Sequence, residues 1–280
     1  MKAEVKQMAQ IIHELQDMTF LNWARVRNSS GTAGSFLKAY EETANGKIYY
    51  KLSNYDAFHG VTGHECVNEI IVDRLLTILG IEHLSYELIH ARIIVDDRPL
   101  ETWLCASHDF KQRGESKVAL DVYYQAERMH GESPLEFCIR CGWEKSIYEM
   151  LIVDYLILNR DRHGANMEVL RNRVQRTVRL APLFDHGISL LSRCTDEAAM
   201  EQENVMADKP VQCFVGSRST WENLKLIPKD KKPKICCLRE EDKDSILEGL
   251  EEALGRNWLE RIWEMIWRRW QAYESVYDQG

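Results

Sequence analysis

Two short polar motifs lie in the second half of the chain. Residues 159–166 read Asn-Arg-Asp-Arg-His-Gly-Ala-Asn, and residues 181–187 read Ala-Pro-Leu-Phe-Asp-His-Gly. The first motif places Asp161 and Asn166 five positions apart, and the second adds Asp185. Phosphoryl transfer requires a carboxylate that orients a hydroxyl group and oxygen ligands for Mg²⁺. We therefore predict that Asp161 orients the nucleophile and that Asn166 and Asp185 bind Mg²⁺.

The first half of the chain contains groups that could neutralise nucleotide phosphates. Lys51 lies in a predicted strand, from which its ammonium group would contact the α- and β-phosphates of ATP. Glu65 and Glu69 share one face of the following helix, and we favour Glu69, nearer the helix middle, as the partner of Lys51. Gly31 and Gly34 lie in a loop of small residues whose backbone N–H groups could approach phosphate oxygens. The expected cofactors are ATP and Mg²⁺.

Each of these residues also has an ordinary structural interpretation. Asp161 could form a surface ion pair, Asn166 a turn and Asp185 a loop carboxylate. His163 could contact the phosphates or only brace its loop, and Asp154, on an apolar helix, could satisfy backbone groups or pair with an arginine. The catalytic interpretation of the whole set is favoured because the features occur together in one order: glycine loop, strand lysine, helix glutamate, Asp-x4-Asn and Asp-x-Gly.

Apolar spacing and turn residues predict the elements that must position these groups. Residues 1–27 carry apolar residues at helical spacing and are predicted to form a helix. The following segment predicts a small sheet with one long helix, with strands over 36–40, 47–53, 86–95 and 101–110 and the helix over 62–79. From about Ser116 the pattern is mainly helical. It includes helices over 146–158 and 257–277 and a hairpin between the two motifs.

The chain is thus predicted to have an α+β fold with two lobes and a cleft between them. Its 280 residues, 45% of them hydrophobic, suffice for one large core or two lobes. We expect an N-terminal helix over 1–27, a small antiparallel-sheet lobe with one helix over 28–110, and a larger, mainly helical lobe over 111–280. The tryptophans of the last helix are expected to pack in the core, with a partner-binding face as the alternative.

Composition disfavours several other classes of protein. A formal net charge of -8 argues against direct nucleic-acid binding, which needs a basic surface. No stretch is apolar and long enough to cross a bilayer or to act as a secretory signal, so a cytoplasmic location without membrane association is expected. The eight cysteines are then expected to be reduced thiols, with a metal site at Cys138 and Cys141 as a minor alternative.

The two motifs, with looser support from Lys51, Glu69 and Gly80, resemble the HipA-like serine/threonine kinases of bacteria. The likeness is to the short forms that lack an extra N-terminal subdomain. The Asp-Arg-His-x-x-Asn core also resembles phosphoinositide kinases. The resemblance implies a bilobal protein-kinase-like fold. It also makes Asp161 the catalytic base, Asn166 and Asp185 the Mg²⁺ ligands, and Lys51 the ATP-phosphate lysine.

The same resemblance implies a biological setting. HipA-like kinases are cytoplasmic, are often toxins restrained by an antitoxin partner, and include aminoacyl-tRNA synthetases among their protein substrates. Autophosphorylation of serines near the glycine loop occurs in the family, so Ser29, Ser30 and Ser35 are candidate positions.

Two alternatives to a protein kinase stay open. The same fold could phosphorylate a lipid or a small molecule, although an acidic net charge disfavours binding to anionic lipid. A non-catalytic nucleotide-binding scaffold that recruits a partner through Trp263 and Trp267 is the second alternative. A complete set of metal ligands disfavours such a scaffold.

Overall fold

A computed structural model of the chain describes residues 10–24, 36–44 and 46–277. The first part is a sheet with one long helix. It consists of β1 (Gln10–Asp17), β2 (Lys38–Thr43), β3 (Gly46–Leu52), β4 (Tyr55–Asp56), β5 (Gly60–Val61), α1 (Glu65–Leu79), β6 (Tyr86–Val95) and β7 (Arg98–His108). The five longer strands form one sheet in the order β1-β6-β7-β3-β2. Only β1 runs parallel to its neighbour, and the other pairs are antiparallel.

The second part is mainly helical with short strands. Its elements are β8 (Glu115–Ala119), α2 (Leu120–Glu127), α3 (Pro134–Arg140), α4 (Glu144–Leu156), β9 (Asp161–Arg162), β10 (Glu168–Asn172), β11 (Thr177–Leu180), α5 (Glu197–Gln202), β12 (Gln212–Cys213), α6 (Thr220–Leu224), α7 (Asp242–Leu247) and α8 (Arg256–Tyr277). Strands β8, β10 and β11 form a small antiparallel sheet, and β9 pairs in parallel with β12.

The predicted N-terminal helix over 1–27 is wrong where the structure describes it, because Gln10–Asp17 is strand β1. Ile11 packs against the larger apolar core and Ile12 against a smaller one, so the two neighbouring side chains point to opposite faces of the sheet. Pairing with β6 supplies the backbone hydrogen bonds of β1, and this long-range contact overrides the helical spacing of its apolar residues. The rest of that prediction, residues 1–9 and 25–27, lies outside the described residues.

Helix α1 lies against one face of the five-stranded sheet and connects it to the helical part. Gly80 ends the helix in the left-handed conformation, with φ of 70°, and its N–H bonds to the carbonyls of Leu76 and Thr77. Apolar residues of α1 share one core with the buried residues of α4 and α8, whereas the opposite face of the sheet covers the smaller core. The tryptophan-rich α8 contributes Trp263 and Trp270 to the larger core, as the core-packing interpretation predicts.

Residues Glu115–Ala119 also differ from the expectation of helix beyond Ser116, since they form strand β8 against β10.

Among the described residues, no helix combines the length and apolar character that crossing a bilayer requires.

Candidate active site

Strand β3 and helix α1 bring Lys51 and Glu69 together. Tyr50 and Leu52, the neighbours of Lys51 on β3, belong to the smaller core. Because side chains alternate along a strand, Lys51 projects from the opposite face of the sheet, where α1 lies. The ammonium Nζ of Lys51 lies 3.0 Å from Oε1 of Glu69, whose side chain is 0% exposed. Glu65, the alternative partner, instead accepts a hydrogen bond from the backbone N–H of Asn54.

The second motif brings Asp185 to the same lysine. Nζ of Lys51 lies 2.5 Å from Oδ1 of Asp185. Asp185 adopts a left-handed backbone conformation with φ of 58°, which is uncommon for a residue with a side chain. Its backbone N–H donates to the hydroxyl of Tyr86 over 3.1 Å, and the N–H of His186 donates to Oε2 of Glu69 over 2.8 Å. The structure therefore holds this unusual backbone through groups on β6 and α1.

Asn68 adds a third attachment for the segment that contains Asp185. Its side-chain amide donates to the carbonyl oxygens of Gly187, at 2.9 Å, and Ser189, at 3.1 Å. Gly187 itself lies so close to α1 that an added Cβ would be 3.0 Å from Cβ of Glu65. The Asp-x-Gly motif thus requires a small residue at this position because the helix packs directly against it.

Charge stabilisation within this cluster overcomes the cost of burial. Burial disfavours the ionised carboxyl of Glu69, yet the ammonium of Lys51 and a hydrogen bond from His186 hold its pKa below the usual value. Burial likewise opposes ionisation of Asp185, but Lys51 and then Lys38 hold the pKa of that carboxyl well below its usual range. Burial also disfavours the ammonium form of Lys51, but the two carboxylates raise its pKa well above the ordinary value. The three groups are therefore charged at neutral pH.

The first motif forms a tight loop in which Asp161 and Asn166 touch. The side-chain amide of Asn166 donates to the backbone oxygen of Asp161 over 2.8 Å and to its Oδ2 over 3.3 Å. The N–H of Asp161 donates to the side chain of Asn159, which in turn donates to Asp154. Because the amide nitrogen of Asn166 is turned toward Asp161, its oxygen is the atom left to ligate a cation.

Arg162 joins the two motifs. Its buried guanidinium pairs with Asp154 at 3.0 Å, which fulfils the expectation that Asp154 pairs with an arginine. Nη1 of Arg162 donates to the carbonyl of Asn166 over 3.3 Å and to that of Phe184 over 2.9 Å. One guanidinium nitrogen thus fixes Asn166 beside the residue that precedes Asp185, and the two predicted metal ligands lie on adjoining segments.

The environment of Asp161 favours retention of a proton. Burial raises the pKa of this carboxyl, the charge of Asp185 raises it further, and His163 and Asn166 act in the opposite direction. A raised pKa moves a carboxylate toward the range in which it can accept a proton from a hydroxyl group. Asp161 is therefore suited to act as a base in this position.

His163 braces the loop and faces Asp161. Its Nδ1 accepts a hydrogen bond from the N–H of Ala165 over 3.2 Å, so Nε2 carries the proton of the neutral ring. Nε2 lies 3.6 Å from Oδ1 of Asp161. The bracing role considered from the sequence is thus visible, whereas phosphate contact by His163 stays a prediction.

Gly164 allows the loop to pack closely against helix α2. A Cβ at this position would lie 2.5 Å from Cβ of Asp121 and 3.0 Å from a ring carbon of Phe214. Since neither atom is the free end of a flexible chain, any larger residue must displace either α2 or the loop that carries Asp161 and Asn166.

The donor set suits Mg²⁺ held partly by phosphates. Among residues 10–24, 36–44 and 46–277 there is no cluster of three or more His, Cys, Asp or Glu side chains that could hold a metal on its own. Magnesium is commonly bound by one or two protein oxygens together with waters and substrate phosphates. Asp185 and the oxygen of Asn166 fit that pattern. Gly31 and Gly34, predicted to approach the phosphates, lie outside the described residues.

Sequence reasoning missed the residues that hold the predicted ones in place. Tyr86, Asn68 and Arg162 act through backbone groups of residues distant in the sequence, and a pattern of residue types does not encode such contacts. The available signal was Asp154, the one charged residue within the apolar stretch 150–158, which pairs with Arg162.

No protein-family model and no curated protein sequence matches the chain. Among solved structures, it is similar to the crystal structure of the Helicobacter pylori proinflammatory kinase CtkA. The TM-score is 0.59 and the identity 15%, and the match covers 90% of this chain and 93% of that one. At this identity the likeness establishes a shared fold. The predicted α+β, kinase-like bilobal fold is thereby confirmed.

Proposed function

We propose that this chain is an ATP- and Mg²⁺-dependent protein kinase that phosphorylates serine or threonine. The observation that carries the proposal is the position of Lys51, whose ammonium bridges Glu69 and Asp185 at 3.0 and 2.5 Å. A lysine fixed by a helix glutamate beside a metal-binding aspartate is the arrangement that kinases use to hold nucleotide phosphates. The likeness to a bacterial kinase of the same fold supports this proposal.

Each residue of the site has a role in this proposal. Lys51, oriented by Glu69, binds the α- and β-phosphates, and Asp185 with Asn166 binds Mg²⁺, which neutralises charge on the phosphates when bound. Asp161 orients the acceptor hydroxyl and receives its proton. Arg162 keeps the Asp161 loop and the Asp185 segment in register, so the base and the metal ligands keep a fixed separation.

The proposal extends to the HipA-like type. The wording of both motifs supports this assignment, and the fold neighbour supports only its kinase part. On this proposal the kinase acts in the cytoplasm within a toxin–antitoxin pair and phosphorylates itself and a protein of translation. Gly31, Gly34 and the candidate autophosphorylation positions Ser29, Ser30 and Ser35 belong to the part of the proposal that rests on sequence alone.

The test is phosphoryl transfer from γ-labelled ATP with Mg²⁺, using the purified chain with and without cell extract. The wild type should label itself or a protein on serine or threonine, and Asp161→Asn should lower labelling by at least about 10³-fold. Asp97→Asn is the matched control, since Asp97 lies in the turn between β6 and β7 and should retain activity.

Three other results would contradict the proposal. Equal labelling by wild type and Asp161→Asn would remove Asp161 from the reaction. Label found on an inositol lipid or a sugar, and on no protein, would change the acceptor class. Absence of Mg²⁺-dependent ATP binding by calorimetry would leave only a non-catalytic module that binds a partner without nucleotide.

A further inference from the structure

The segment 236–258, here called the anchor segment, contacts helix α1 on the side away from Lys51. At the C-terminal end of α1, the N–H of Cys236 donates to the carbonyl of Leu79 over 2.9 Å. At the N-terminal end, the rings of His64 and Trp258 lie 5.0 Å apart at an angle of 58°. The anchor segment therefore contacts both ends of the helix that carries Glu69.

Arg74 makes the central attachment. Its Nη1 donates to the carbonyl of Ile246 over 3.1 Å and to that of Glu248 over 2.7 Å. These carbonyls lie at the C-terminal end of α7, where a helix leaves its last C=O groups without intrahelical partners and where a cation is favoured. Arg74 is 7% exposed, so its hydrogen bonds form in a site largely closed to water.

Arg74 and Glu69 lie on different sides of the same helix. Five residues of an α-helix correspond to a rotation of about 140°, so a helix that points Glu69 toward Lys51 points Arg74 away from the nucleotide site. A displacement of α1 that separates Glu69 from Lys51 must therefore stretch the bonds between Arg74 and α7. On the side of α1 that faces the site, Asn68 bonds to Gly187 and Asp73 bonds to Tyr86. Arg74 attaches the opposite side of the helix to α7.

We propose that the anchor segment, through Arg74, fixes α1 in the position that pairs Glu69 with Lys51, and that Arg74 is a positioning residue for nucleotide binding. The pairing is thus built into the resting fold by the C-terminal part of the chain itself. This inference rests on the proposed kinase function for its catalytic consequence, but its structural content concerns only the mobility of α1.

The test compares Arg74→Met with Arg269→Met. Arg269 is the matched control because it is also a buried arginine that donates to backbone carbonyls, those of Tyr155, Val205 and Ala207, but it does so outside α1. Backbone amide exchange of residues 65–79 is measured in both variants at the same temperature margin below unfolding. Arg74→Met should accelerate exchange in α1 on the order of tenfold relative to Arg269→Met.

Enzyme kinetics then test whether Arg74 acts through Glu69. Arg74→Met should lower kcat/KM for ATP on the order of tenfold or more, mainly through KM. In a Glu69→Gln background the same substitution should have little further effect, because the residue that Arg74 positions has already lost its charge. Arg74→Lys keeps the positive charge but has fewer hydrogen-bond donors, so its rate of amide exchange in α1 and its kcat/KM should lie between those of wild type and Arg74→Met. Arg74→Lys replaces Arg74→Met in the comparison if Arg74→Met does not fold.

Two results would overturn the inference. One is equal acceleration of α1 exchange by Arg74→Met and Arg269→Met, or by Arg74→Lys and Arg269→Lys. The other is an undiminished loss of kcat/KM when Glu69→Gln is already present. A wild-type chain without kinase activity would contradict the proposed function, while the exchange comparison would still decide whether Arg74 fixes α1.

Discussion

The hydroxyl of Tyr86 accepts a hydrogen bond from the backbone N–H of Asp185 over 3.1 Å. This bond connects the first residue of β6 to the carboxylate that faces Lys51. Tyr86 is itself fixed, since its N–H donates to Asp73 on α1 over 2.8 Å. The hydroxyl thus supports a left-handed residue that would otherwise be strained.

Replacing Tyr86 with phenylalanine should weaken metal-dependent activity. The variant leaves the N–H of Asp185 without its acceptor, so the carboxylate loses its fixed direction. We expect the Mg²⁺ concentration for half-maximal kinase activity to rise roughly tenfold, as is usual when a support of a metal ligand is removed. Tyr50→Phe is the control, because Tyr50 is also buried but its hydroxyl donates to Glu41. An unchanged Mg²⁺ requirement in Tyr86→Phe would show that the hydroxyl does not position Asp185.

Lys51→Met should destabilise the fold as well as abolish activity. The substitution leaves Glu69 buried without its cation, which typically costs about 3–5 kcal/mol. Lys47→Met, which breaks the exposed pair with Glu42, should change the free energy of unfolding far less, because solvent screens an exposed ion pair. Urea denaturation measures both. A second change, Glu69→Leu, should recover part of the loss in Lys51→Met, and a similar cost for the two single variants would contradict the argument.

The difference in the free energy of unfolding between wild type and Lys51→Met should depend on pH with a defined sign. In the wild type the pKa of Glu69 is held below its usual value, so Glu69 stabilises the fold above that value and the contribution is lost as pH falls through the lowered pKa. In Lys51→Met, burial dominates and the pKa of Glu69 rises, so protonation relieves the unpaired charge. The stability gap between wild type and Lys51→Met should therefore narrow as pH falls toward 4. A gap that widens in acid would contradict this assignment.

Local patterns predicted the elements whose residues carry their own signals. The spacing of Val67, Ile70, Ile71 and Leu75 predicted α1 because one continuous segment buries its apolar side chains. Strand β1 could not be predicted in this way, because its partner β6 lies far along the chain. For a short apolar run the spacing of the residues does not by itself decide between a strand and a helix.

In the candidate site, too, residue types could be predicted from the sequence but supporting contacts could not. The order of Lys51, Glu69, Asp161 and Asp185 indicated which residues could meet, since each is a residue type required by the chemistry. In the sequence Arg162 is only the residue that follows Asp161 in the motif, whereas the structure buries it and turns it toward two backbone carbonyls. Carbonyl oxygens are present at every residue, so the sequence alone does not reveal which ones a guanidinium will contact.

His163→Asn should shift the pH profile of the reaction. Asparagine can still accept the hydrogen bond from the N–H of Ala165, so the loop keeps its brace. The Nε2–H of His163 faces Asp161 and lowers the pKa of that carboxyl against the effect of burial, so its removal should raise that pKa. Because Asp161 must be ionised to act as a base, the acidic limb of kcat/KM should move to higher pH while the rates converge in alkaline solution. An unmoved acidic limb would assign His163 a bracing role only.

Gly164→Ala should disturb the loop that carries Asp161 and Asn166, because the new methyl group has no room. It would meet Cβ of Asp121 at 2.5 Å, and relief requires movement of either α2 or the loop. Overpacking of this kind costs about 1–3 kcal/mol. A shift of Asp161 and Asn166 should lower kcat/KM by roughly tenfold or more. Gly255→Ala is the control, since its added Cβ meets nothing within 4 Å and should change stability by less than about 0.5 kcal/mol. Thermal unfolding and steady-state kinetics measure the two effects, and equal behaviour of the two alanine variants would show that the close approach of the loop to α2 is unimportant.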